Sequence, residues 1–315
     1  MKTAKYYLAA IFAYATWGFF SLVLKPLSGY ASVDILFYRI FSCAILMVFI
    51  TALFKRADLL KAFSDIKALP AKQKRNMLLL NVSGSILLNI NWFSFIYVLN
   101  HVSIKATSLA YLVCPIITTL LAYWLLHEKL NKIQWIAVAL SILGCLLLSY
   151  ANIMDMVYGI IIGSSYAAYL VSQRKNVGFD KFITLTFHIV LSALLLLPFY
   201  PAYSGRIPSK TTFWVLIELI ALGFTVIPLF LNLYALKGLN SSTVGMLLNI
   251  NPIIAFAIAA LVYLEPISPL QMAAYSIIFL SVIVFNAHYL FKNKQRQMNG
   301  RDQPDFAKDS GYSET

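Results

Sequence analysis

The residues of this chain that can do chemistry are few, and they stand inside long apolar runs. Arg39 can hold an anionic group through its forked donors. It can equally snorkel to the membrane surface, or pair with Glu218 as a gate. Glu218 and His188 are the candidates for carrying a coupling proton, because histidine titrates nearest neutral pH and a carboxyl inside lipid is expensive to leave charged. Lys25 adds a second cation. Around these groups, polar and aromatic side chains recur at helical spacing: Tyr14, Trp17, Ser21 and Lys25; Asn81, Ser85, Asn89 and Trp92, with Asn91 beside them; Tyr111, Pro115 and Thr118 or Thr119; Ser164, Ser165, Tyr166 and Tyr169; Gly245, Asn249, Pro252 and Phe256. Positions three and four apart share one helix face, and in lipid such a face must turn toward protein or water.

Two readings of these stripes compete. Any single Asn or Ser is adequately explained as a hydrogen bond between helices. The set together reads as a polar, aromatic-walled cavity. Its substrate-binding candidates are Trp17, Lys25, Arg39, Asn91, Trp92, Tyr111, Tyr166, Asn249 and Asn251. Pro115 and Pro252 each remove a backbone donor in mid-run and serve as helix-break or hinge candidates beside that cavity. No nucleophile elbow, P-loop, HExxH or paired-carboxylate arrangement is present, so the sequence points to no catalytic residue, no metal and no cofactor. Cys43, Cys114 and Cys145 lie in apolar runs without metal spacing and read as packing residues.

The elements that must position these groups follow from composition. Of 315 residues, 60% are hydrophobic and 12% charged, with a mean hydropathy of +0.77. A soluble chain of this length needs a charged surface that this one lacks. A bilayer core needs about 20 apolar residues per helix. Ten segments meet that length: 6–25, 34–54, 77–98, 103–126, 133–150, 155–174, 182–200, 213–236, 242–263 and 270–291. They are continuous apolar runs, not alternating ones, which excludes an outer-membrane barrel. The first run is too long for a signal peptide, and carries Tyr14 and Trp17 without a convincing cleavage site. The segment 55–76 is basic and amphipathic and reads as a surface helix. The tail 292–315 is polar and is expected to be disordered.

The net charge of +13 needs no nucleic-acid partner. If both termini are cytoplasmic, 20 of the 25 Lys and Arg residues fall on the cytoplasmic side, as the positive-inside rule requires. The expected location is the cell inner (plasma) membrane, multi-pass.

A repeat appears at an offset of 137 residues. It pairs Tyr97 with Tyr234, Leu99 with Leu236, Pro115 with Pro252, Glu128 with Glu265 and Gln134 with Gln271. The two units, 1–150 and 151–291, hold five predicted helices each, so the second enters the membrane from the opposite side. Inverted repeats of this kind build many secondary transporters, with the binding site at the repeat interface. Glu128 and Glu265 then lie at opposite faces, each capping or tying the end of its own helix.

The chain resembles the drug/metabolite transporter superfamily in its EamA-type family, most closely the RarD-type subgroup named for chloramphenicol sensitivity. The resemblance covers residues 6–291. It rests on Trp17-Gly18 and Lys25, Arg39 in FYRIF, Asn91-Trp92 in NINWFSFIYVLN, Pro115 twelve residues ahead of Glu128, and Pro252 twelve ahead of Glu265. In the family a glycine usually precedes that acidic residue; here His127 and Leu264 stand in its place. The resemblance implies an all-α membrane protein of ten transmembrane helices in two inverted five-helix repeats. It also implies export or exchange of amphipathic metabolites through a cavity between the halves.

The resulting expectation is a secondary-active permease, not an enzyme, moving a small metabolite or drug-like compound by alternating access. Its partners are a small-molecule substrate and the lipid bilayer, with no nucleic acid; a homodimer is left open. The alternative is a membrane-embedded enzyme or lipid-modifying protein, which would need a reactive constellation at one interface. A channel would need rings of one residue type in a symmetric oligomer.

Overall fold

The structure is a computed structural model that describes residues 3–101, 104–149, 153–176, 180–264 and 267–299. Every regular element among them is helical. In chain order the helices are α1 (Ala4–Leu27), α2 (Ser32–Phe54), α3 (Arg56–Ala68), α4 (Ala71–His101), α5 (Ile104–Leu126) and α6 (Lys132–Ser149). There follow α7 (Ile153–Lys175), α8 (Lys181–Tyr203), α9 (Thr211–Ala235), α10 (Ser241–Leu261) and α11 (Pro269–Asn299).

Nine of the described helices are long and apolar enough to cross a membrane: all but α3 and α7. Helix α7, on the predicted sixth span, has 23 residues. Its middle holds Ser164, Ser165, Tyr166, Tyr169, Ser172 and Gln173. Those residues are mostly buried, and α7 packs against α4 and α5, while its Ile153, Met154, Val157, Ile160 and Ile161 are exposed. Lipid-type surface is also carried by large exposed side chains such as Phe12, Ile45, Phe49, Leu194 and Val215.

Local chemistry sets the helix ends. Asp180 caps α8 by accepting from the amides of Phe182 and Ile183 at 2.9 and 3.1 Å. Asn131 and Gln134 satisfy each other's amides at the start of α6, and Ser268 and Gln271 do the same at the start of α11. The two boxes are 137 residues apart, which gives the Gln134–Gln271 match a physical meaning.

Helix α4 begins at Ala71, directly after Pro70, rather than at 77, so its charged first turns extend past the apolar run. The surface segment is α3, with Leu60 and Phe63 exposed. At its start Lys55 Nζ sits 2.8 Å from Asp58, and the carboxylate raises the lysine above its ordinary value. The last helix runs through Asn299, eight residues into the segment read as a polar tail.

The two prolines behave differently. Helix α10 breaks at Leu248–Asn249, just before Pro252, into Ser241–Leu247 and Ile250–Leu261. Pro252 has no amide for the Leu248 carbonyl, which accepts from Asn251 N at 3.0 Å instead, in a tighter turn. Pro115, expected as a matching break, lies inside the unbroken α5. Glycines press against that helix on two sides. A Cβ on Gly163 of α7 would come within 3.0 Å of the Ala110 carbonyl, and one on Gly245 within 2.7 Å of Thr118. Glycine backbone packed this closely against it holds α5 continuous despite one missing bond.

Candidate functional site

A third proline, Pro228, creates the feature that the sequence concealed. Helix α9 widens to a π-turn at Leu222–Val226 ahead of Pro228. Pro228 cannot donate to the carbonyl four residues back, that of Phe224. Trp17 of α1 supplies the missing donor, its indole Nε1 lying 2.8 Å from Phe224 O. One turn earlier on α1, the Tyr14 hydroxyl donates to Asn232 Oδ1 at 3.0 Å, and Asn232 Nδ2 donates onward to the Tyr166 hydroxyl. All three of these side chains are buried. Trp17 packs 5.8 Å from both Tyr14 and Tyr166, and Tyr166 stacks on Tyr169 at 5.7 Å. Asn232 and the Phe224 carbonyl were missed as site groups. An asparagine in the middle of an apolar run was the available signal.

This network continues along α7 and α4. Asn91 Nδ2 donates to Ile162 O at 3.0 Å and to Ser165 Oγ at 3.2 Å, one residue from Tyr166. Trp92 carries the Arg39 guanidinium 5.5 Å over its ring. The half-buried Tyr111 packs its ring 5.7 Å from Phe95. The structure thus links Trp17, Tyr166, Asn91, Trp92 and Arg39 into one polar, aromatic seam, most of whose bonds join residues before 150 to residues after it.

The remaining expected residues lie outside that chain of contacts. Lys25 sits 3.6 Å over the Tyr263 ring, and the Tyr263 hydroxyl donates to Ser21 O, tying the end of α1 to the end of α10. Asn249, at the break in α10, is fully buried with neither side-chain polar atom hydrogen-bonded. Asn251 is buried two residues on, its carbonyl close to Gly18 of α1. His188 is fully buried, with Nδ1 3.5 Å from the Tyr169 hydroxyl and Nε2 without a partner. Glu218 is exposed on α9 and does not meet Arg39; the one ion pair among the described residues is Lys55–Asp58. Surface cavities among the described residues include one of about 510 Å³ at Leu126–Glu128 with Arg174 and Asn240, and one of about 540 Å³ between α2 and α8. Neither includes an expected site residue.

Glu128 caps a helix, but not its own. Its carboxylate accepts from Ser241 N at 2.7 Å, Ser242 N at 3.0 Å and Ser242 Oγ at 2.6 Å, at the start of α10. The chain reaches that position through His127, whose φ is +53°. Leu264, 137 residues later, has φ +51°, and these are the two non-glycine residues with positive φ among those described. The left-handed conformation is the one a glycine would take without strain. Glu265 lies outside the described residues.

The sequence profile of the EamA-like transporter family matches residues 4–150 and again 154–287. The chain belongs to the EamA-like transporter family. An uncharacterized transporter of Bacillus subtilis, YojE, is 27% identical over 291 residues, covering 90% of this chain and 94% of that protein. Protein RarD of Escherichia coli is 25% identical over 294 residues, with the same coverage of each. A solved crystal structure superposes with a TM-score of 0.70 at 13% identity, covering 90% of this chain and 98% of its own, so the fold is shared. With this family membership and nine spanning-length helices, the EamA-family chain is a multi-pass membrane protein of the transporter class.

Proposed function

We propose that the chain is a secondary-active permease that exports or exchanges a small metabolite or amphipathic drug-like compound across the inner membrane by alternating access. The observation that carries this reading is the buried seam of Tyr14, Trp17, Asn232, Tyr166 and Asn91, which joins helices distant in sequence through side-chain hydrogen bonds. Polar contacts that pair once can separate and re-form as two halves rock, whereas an apolar core of interdigitated side chains resists sliding.

In this reading α7 is the tenth crossing, with its exposed Met154, Val157, Ile160 and Ile161 toward lipid. The halves are inverted repeats, which the double family match, the paired capping boxes and the paired left-handed residues all support. Both termini are cytoplasmic. The substrate meets Trp17, Asn91, Trp92, Tyr111, Tyr166, Asn249 and Asn251 when the seam opens, and the break at Pro252 is the hinge.

The test is a metabolite comparison between cells lacking and overexpressing the protein, followed by uptake of the identified compound into liposomes holding the purified chain. Flux that follows an imposed gradient and is lost in Asn232→Leu supports the reading; liposomes that move none of the accumulated compounds reject it. Topology is tested separately with single cysteines at Ser64 and Ser204, which should label from opposite sides. The native Cys43, Cys114 and Cys145 are buried and leave a low background.

A further inference from the structure

Helix α3 joins the ends of two spanning helices. A break at Lys55 separates it from α2, and Leu69 and Pro70 separate it from α4. Its 13 residues are too few to recross a bilayer core, which needs about 20. At about 1.5 Å per residue they make a rod of roughly 20 Å, held at both ends to one side of the bundle. Such a rod runs along that side rather than away from it. One face packs against the ends of α2 and α8, with Ala62 buried and Leu59 and Ile66 half-buried.

A second face is left uncovered. Arg56, Leu60, Phe63 and Lys67 stand at spacings of four, three and four, and so share one stripe of α3. All four are exposed, Leu60 by 59% and Phe63 by 56%. Leu53 and Phe54, at the end of α2, add further exposed apolar surface beside them. The carboxylates lie elsewhere: Asp58 and Asp65, seven residues apart, are on the opposite side of the helix, and Asp58 is held by Lys55 at 2.8 Å. The stripe is thus two large apolar side chains with a cation at each end and no anion. In the interfacial layer of a bilayer the apolar pair is buried, while the long stems of Arg56 and Lys67 reach the head groups. Lys72, Lys74 and Arg75, exposed in the first turns of α4, extend the positive field.

We propose that the α3 face carrying Arg56, Leu60, Phe63 and Lys67 is a docking surface for anionic phospholipid in the leaflet beside it. The two cations pair with lipid phosphates, and Leu60 and Phe63 enter the layer between head groups and acyl chains. Charge complementarity selects this occupant. A negative leaflet strengthens the attachment of a segment beside a span by about fivefold per Lys or Arg, and every charge on this face is positive. A second copy of the chain would bring the same cations against each other. The docking requires that the chain be in a membrane and does not rest on the transport reading.

The experiment follows hydrogen exchange of the α3 amides in the purified full-length chain, held in nanodiscs of phosphatidylcholine or of an equimolar mixture with phosphatidylglycerol. A docked helix opens less often, so exchange should be roughly thirtyfold slower in the anionic discs, from about fivefold for each of Arg56 and Lys67. Raising salt from about 0.1 M to about 1 M shortens the screening length from about 10 Å to about 3 Å and should erase most of that difference. Lys67→Gln should lose about fivefold of the slowing, and Arg56→Gln combined with Lys67→Gln nearly all of it. Lys61→Gln, exposed but off the stripe, should lose clearly less than Lys67→Gln. Phe63→Ser should speed exchange in both lipids. The substituted side chains are exposed, so Tm should stay near that of the parent; the comparison of lipids with the unaltered chain needs no variant at all. Equal exchange in the two lipids, a difference that survives high salt, or an equal loss in Lys61→Gln would each overturn the proposal. So would protection in detergent alone that grows with protein concentration, which would assign the face to a second copy.

Discussion

Replacing Glu128 tests whether the tie between α5 and α10 holds one conformation. Its carboxylate receives three hydrogen bonds at 2.6–3.0 Å from Ser241 and Ser242. Bonds to a charged group contribute about 1.5–3 kcal/mol each when fully buried, and a lost helix cap costs about 0.5–2 kcal/mol. These three share one half-buried acceptor, so they do not sum, and the estimate for Glu128→Ala is about 3 kcal/mol. Glu128→Gln keeps one acceptor but turns its NH2 toward one of the two backbone N–H donors, for about half that loss. Most of the cost should fall on the conformation shown here if the contact breaks when the halves part. A differential of about 3 kcal/mol corresponds to a shift of roughly 150-fold between two states. The assay is thiol labelling at Thr243→Cys, a buried position one residue past the cap, in a chain with the three native cysteines replaced by alanine. Labelling should accelerate strongly in the Glu128→Ala background and less in Glu128→Gln, with Tm falling in the same order. Wild-type labelling and wild-type Tm in both variants would show that the contact is a surface ornament and refute the reasoning.

Other outcomes follow from the same contacts. His127→Gly relieves a left-handed non-glycine residue and should raise stability by up to about 1 kcal/mol after the extra freedom of glycine in the unfolded chain is subtracted, read as a higher Tm; a lower Tm would mean that the His127 side chain is itself needed. Trp17→Phe leaves the Phe224 carbonyl without a donor and should cost about 1–3 kcal/mol in denaturant-induced unfolding, whereas pairing it with Pro228→Ala, which restores an amide, should recover much of the loss. Asn249→Leu removes two unpartnered buried polar atoms, so the variant should be as stable as the parent or more so, yet lose transport in the liposome assay; full transport would remove Asn249 from the substrate path.

The sequence by itself determined the class of molecule. Hydropathy and run length are local properties, so spanning helices and the basic amphipathic helix at Arg56–Ala68 could be read directly. The 137-residue offset was legible as well. Its physical content came from the structure: Gln134 and Gln271 close capping boxes, and His127 and Leu264 occupy the turn where the family pattern has glycine. Tertiary structure decided everything that depends on a partner across the bundle. Pro228 shows in the sequence only that one carbonyl is freed; that Trp17 fills it required α1 to lie against α9. Pro115 and Pro252 occupy matched places in the sequence, yet one helix stays whole and the other breaks, because close backbone contacts from Gly163 and Gly245 grip the first. Glu128 was expected to serve its own helix and instead caps α10, more than a hundred residues away. A side chain's type records what it can bind, and only the packing of distant helices supplies the atom that it meets.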